Sequence, residues 1–84
     1  MMTSPQRPPD LEETMHFDPE VGFANLDAHL DDLKSRADAL GYAFDRHAAR
    51  NELQAATFGR RQEARARLLL SPSGAMAIEV RSDD

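Results

Sequence analysis

The sequence predicts an α+β fold: one amphipathic helix packed on a small antiparallel sheet that includes a C-terminal β-hairpin. Three observations carry this. Six apolar residues, Phe23, Leu26, Leu30, Leu33, Ala37 and Leu40, recur at steps of three and four. Two alternating segments flank Ser71-Pro72-Ser73-Gly74, and the 84 residues contain no cysteine to substitute a disulfide framework for a core.

Taken in chain order, residues 1–15 read as a disordered tail. Pro5, Pro8 and Pro9, with Asp10, Glu12 and Glu13, leave too little apolar surface to offset the entropy of ordering. Residues 16–84 then form a single small domain. Its helix is expected from about Pro19 to Leu40. Asp18 has the side chain of an N-cap, Pro19 suits the first helical position, and Gly41 supplies the left-handed residue that ends a helix.

Tyr42 and Phe44 alternate with Ala43 and Asp45, which suits a short strand after Gly41. From Asp45 the composition turns helical, with Gly59 as a stop, so the following stretch is either a second short helix or a further strand. The hairpin is the most constrained element. Pro72 and Gly74 fit a type I turn closed by a positive-φ residue, which pairs Ser71 with Ala75. Counting outward places Leu70 opposite Met76, Leu68 opposite Ile78 and Ala66 opposite Val80 on an apolar face. Arg67 then opposes Glu79, and Arg65 opposes Arg81, on the other.

The formal charge is −5, unevenly spread. Residues 1–41 hold nine acids against Arg7, Lys34 and Arg36, whereas residues 42–84 hold seven arginines against six acids. No apolar run approaches the roughly 18 residues of a membrane span, and the first residues lack a signal-peptide core, so a soluble cytoplasmic protein is the expectation.

Enzymatic signatures are missing. The serines lack a GxSxG context, and Gly22, Gly41, Gly59 and Gly74 are isolated rather than clustered in a phosphate-binding loop. His16, His29 and His47 lack the spacing of a metal site, and His29 is expected on a solvated acidic helix face. No catalytic residue, metal or cofactor is assigned.

The expected function is therefore a non-catalytic acidic interaction module, an inhibitor, adaptor or accessory subunit. It would dock on a protein partner through Asp27, Asp31, Asp32 and Asp38. The alternative is a dimeric DNA- or RNA-binding regulator of antitoxin type, using Arg60, Arg61, Arg65 and Arg67 on the hairpin. An acidic chain makes nucleic acid the less favoured partner. The small core favours a homodimer, since a second copy adds buried surface.

Overall fold

Antiparallel pairing organises the chain into a four-stranded sheet with two helices on one face. The computed structural model describes residues 8–82. In order, the elements are β1 (Leu11–Asp18), β2 (Gly22–Phe23), α1 (Leu26–Leu40), α2 (Arg46–Thr57), β3 (Ala64–Leu70) and β4 (Met76–Ser82). The strand order is β2-β1-β3-β4. The predicted α+β class with its C-terminal hairpin is what the chain forms.

The hairpin has the register deduced from its turn. Leu70 faces Met76, Leu68 faces Ile78, Ala66 faces Val80, Arg67 faces Glu79 and Arg65 faces Arg81. Ser71 N–H donates to Ala75 C=O at 2.9 Å, and Gly74 N–H donates to Ser71 C=O at 3.0 Å. Gly74 has φ 95°, and an added Cβ would lie 3.1 Å from both Cβ and carbonyl oxygen of Ala43. The turn is thus seated against the connector between the helices, where a side chain has neither the backbone conformation nor the space.

Residues 11–15, expected in a disordered tail, instead form most of a central strand. β1 pairs along its length with β3, from Leu11 opposite Leu70 to Phe17 opposite Ala64. Its alternation puts Leu11, Met15 and Phe17 into the buried face, which recovers the apolar surface the prolines obscured. The tail expectation for residues 1–7 lies outside the described residues.

The helix starts later than its sequence signals suggest. Asp18-Pro19 makes the turn from β1 to β2, with Asp18 Oδ1 accepting from Glu20 N–H at 2.8 Å. Asp followed by Pro serves a turn as well as a helix N-terminus, and here strand pairing decides between them. α1 begins after Asn25, which has φ 55° and no side-chain capping bond. It ends as expected at Gly41, with φ 75°, and Tyr42 N–H returns to Ala37 C=O at 2.8 Å.

After Gly41 no strand forms among residues 42–45. Tyr42 turns inward instead, and its hydroxyl donates to Pro9 C=O at 2.7 Å, pinning the start of β1. The ambiguous stretch that follows is a helix. Asp45 caps α2 by accepting from Ala48 N–H at 3.0 Å.

The core lies between the helices and one sheet face. Leu30, Leu33 and Ala37 from α1 and Ala49 and Leu53 from α2 meet Leu11, Met15, Ala66, Leu68 and Leu70. The largest fully buried side chains among these are Met15, Leu30, Leu33, Leu53, Leu68 and Leu70. The opposite sheet face carries Glu12, Thr14, Arg65, Arg67, Glu79 and Arg81 and has no helix over it among the described residues.

No helix among the described residues is long and apolar enough to cross a membrane.

Candidate functional site

Strand alternation builds the site on the open sheet face. Thr14 of β1 lies opposite Arg67 of β3, which lies opposite Glu79 of β4. One residue pair along, Arg65 lies opposite Arg81. Thr14, Arg65, Arg67, Glu79 and Arg81 line a concavity of about 380 Å³. Three adjacent strands each contribute, and their hydrogen-bonded register fixes the spacing of the side chains.

The electrostatics favour an anionic occupant. Three guanidiniums share the face with the carboxylates of Glu12 and Glu79. Arg67 Nε is 2.7 Å from Glu12 Oε1, an ion contact poorly aligned for a hydrogen bond, while its Nη2 donates to Glu12 Oε2 at 3.1 Å. This contact holds the Glu12 carboxyl below its ordinary pKa and raises that of Arg67. Arg81 Nε pairs with Glu79 Oε1 at 3.0 Å. The acids therefore orient two of the guanidiniums, and the Thr14 hydroxyl adds a donor and an acceptor.

Two of the four arginines singled out in the sequence, Arg65 and Arg67, belong to this site. Arg60 and Arg61 lie elsewhere, in a shallower concavity of about 310 Å³ shared with Gln62 and Ser82. Arg60 Nη2 donates to Ser82 Oγ at 2.9 Å. Glu79 and Arg81, expected opposite Arg67 and Arg65 on that hairpin face, line the site as well, whereas Thr14 and the positioning residue Glu12 come from a strand the sequence signals did not reveal. The alternation of Leu11, Met15 and Phe17 was the signal that would have found Thr14, because it puts residues 12 and 14 on the other face.

The aspartates chosen as partner contacts are engaged within the chain. Asp27 Oδ1 accepts from Arg50 Nη2 at 2.5 Å and Arg46 Nη2 at 3.2 Å. Asp31 pairs with Arg46 through a short contact, Asp32 accepts from Arg36 Nε at 3.0 Å, and Asp38 accepts from Lys34 Nζ at 2.7 Å. Asp27 and Asp31 thus bind α1 to the start of α2. Hydrogen bonds from Arg46 and then Arg50 hold the Asp27 carboxyl below its ordinary pKa, and the bonds that Arg46 donates to Asp31 and Asp27 raise that of Arg46.

Because the folded-state pKa values of Glu12 and Asp27 are depressed, their contribution is present above the unfolded values and is lost as pH falls through the folded ones. Stability should therefore decline from about pH 4 downward. Asp27→Asn should flatten part of that decline, as read by urea unfolding at a series of pH values. An unchanged pH profile would show that the Arg46 and Arg50 contacts contribute nothing.

His29 departs from the solvated position expected for it. Its Nδ1–H donates to Glu13 Oε1 at 2.6 Å, and Arg36 Nη2 donates to Glu13 Oε2 through a short contact. Glu13 is on the helix-facing side of β1, with a side chain 12% exposed, so it reaches α1 rather than water. Arg36 Nη2 also donates to Glu12 C=O at 3.1 Å. His16 Nε2 lies 2.9 Å from Glu63 Oε1. Among the described residues no group of three or more His, Asp or Glu side chains is arranged to hold a metal ion.

Comparison with known proteins gives one informative likeness. No family model and no curated protein matches the chain. The crystal structure at 2.30 Å of a Mesorhizobium loti protein, assigned as an amino-acid aminotransferase, matches with a TM-score of 0.83 and 32% identity. The match covers 89% of this chain and 36% of that one, so the chain spans about a third of the solved protein.

This likeness corrects the expected function. Over 89% of its length the chain shares the fold, at 32% identity, of part of a protein assigned as an enzyme, which speaks against the expected non-catalytic acidic docking module and its arginine-hairpin nucleic-acid alternative. Absent catalytic motifs do not distinguish a docking module from one part of a larger enzyme.

Proposed function

We propose that this chain acts as the small α+β domain of an amino-group-transferring enzyme, with its open sheet face as the wall that receives the substrate's carboxylate. The observation that carries this reading is the likeness to part of the Mesorhizobium loti protein over 89% of the chain. The concavity supports it chemically. Amino acids and the 2-oxo acids formed from them both bear a carboxylate, and Arg65, Arg67 and Arg81 present forked donors to such a group.

In this reading the chain binds and orients substrate. Amino transfer with a carbonyl cofactor would need a lysine placed to hold that group at the substrate. The chain's one lysine, Lys34, is exposed on α1, bonded to Asp38, and separated from the concavity by the sheet. These residues do not fit a covalent cofactor site, and no reaction step is assigned to them.

A domain exchange tests the proposal. The matching third of the Mesorhizobium loti protein is replaced by this chain, and amino transfer from amino acids to 2-oxo acids is measured beside the parent. A folded chimera with turnover is expected. Within it, Arg65→Gln should raise KM for the acid substrate by about tenfold, the usual scale of one lost charged hydrogen bond, with a smaller change in kcat. A folded chimera without turnover beside an active parent would overturn the reading.

A further inference from the structure

The outer edge of β4 forms one margin of the sheet. β4 is the last strand of the order β2-β1-β3-β4, with no described strand on its far side. The bond from Ser71 N–H to Ala75 C=O sets the alternation of the hairpin ladder. It directs the backbone groups of Ala77, Glu79 and Arg81 toward β3 and those of Met76, Ile78, Val80 and Ser82 outward. The same outward-directed residues have side chains on the helix side, where Met76, Ile78 and Val80 are only partly covered. Among the described residues this edge has both a ladder without a strand partner and unfinished apolar burial.

The charges on the other face select a partner and a register. Two β4 strands can meet antiparallel about a twofold axis only with outward backbone groups facing one another. A register that places Val80 opposite Val80 of the second copy brings Glu79 opposite Arg81 on each side of the axis. It also puts Ile78 opposite Ser82. Sliding one copy by two residues either way opposes Glu79 to Glu79 or Arg81 to Arg81, which is repulsive. Within one chain Glu79 and Arg81 already approach to 3.0 Å, and both side chains are exposed enough to reach across an edge.

We propose that this edge is a homodimer interface, formed by β4–β4 pairing about Val80 and selected by reciprocal Glu79–Arg81 pairs. The pairing creates one eight-stranded sheet, covers Ile78 and Val80, and places the two arginine-lined concavities on either side of the axis on the same face. The net charge of −5 opposes association at low salt. At physiological ionic strength that long-range term is screened over about 8 Å, whereas contact pairs and backbone bonds persist.

The test is sedimentation of the full chain over a concentration series in physiological salt, with circular dichroism to verify folding. A reversible dimer is expected. Glu79→Arg and Arg81→Glu should each weaken it by about tenfold or more, since each converts two attractive pairs into repulsive ones. The double variant E79R/R81E should restore it to near the original strength. Val80→Pro, which removes an outward N–H that β3 does not use, should abolish it.

Amide exchange supplies a second reading. On concentration, protection should rise at Ile78, Val80 and Ser82, with little change at Ala77, Glu79 and Arg81. A chain that stays monomeric, or whose outward amides are protected by its own residues at every dilution, would overturn the proposal. So would a dimer indifferent to Val80→Pro, or folded single variants whose loss the double variant does not repair.

Discussion

Leu68→Ala should lower the unfolding free energy by about 2–5 kcal/mol, the usual cost of truncating a fully buried leucine without collapse of the site. Leu68 has 0% exposure and sits in β3, between Glu13 of β1 and Ile78 of β4. β3 pairs on both sides, so its backbone has little freedom to close the void. A domain of this length has a total stability on the order of 4–12 kcal/mol. The variant should thus unfold at a much lower urea concentration with an unchanged slope. A loss below about 1 kcal/mol would mean that helices and sheet are not packed as described.

Glu13→Ala should cost about 2–3 kcal/mol, more than an ordinary surface ion pair. Its carboxylate is 12% exposed and joins β1 to α1 through His29 and Arg36. Removing it leaves two donors facing the place it occupied. His29 is 28% and Arg36 38% exposed, so both can turn partly toward water, which holds the expected loss below that of a fully buried pair. A double-mutant cycle with Arg36→Ala isolates their coupling, and near-additive losses would show that the cluster does not act as a unit.

The elements read correctly in the sequence were those with several local signals in agreement. At the hairpin, turn chemistry, side-chain alternation and the Arg67–Glu79 pair require one register, and all of them act within a short stretch of chain. The stretch that forms α2 carries signals for both helix and strand, and only its ends, at Asp45 and Gly59, are marked. β1 was missed because its partner β3 lies about fifty residues away, and such pairing leaves only a faint local trace. Glu13 weakened that trace further by placing a charge on the buried face, where only the later positions of His29 and Arg36 make it acceptable.

The same gap explains the candidate site. Arg65 and Arg67 were recognisable as a pair on one hairpin face, but a concavity needs a third strand. With β1 read as tail, Thr14 and Glu12 had no place beside them. The aspartates of α1 attracted a docking role because a sequence shows charge but not its partners. Arg46 and Arg50 come from the next helix, and folding brings them onto Asp27 and Asp31.

Arg36 has a consequence for the far margin of the sheet. By donating to Glu12 C=O, and with Ala24 N–H on His16 C=O, the chain occupies carbonyls along the side of β1 away from β3. β2 adds only Gly22 and Phe23 there. On the proposed β4–β4 pairing, a template with one blunted end stops adding strands once its receptive edges have met. That pairing gives a finite particle rather than a fibre, and loss of Arg36 would remove a guard against runaway stacking.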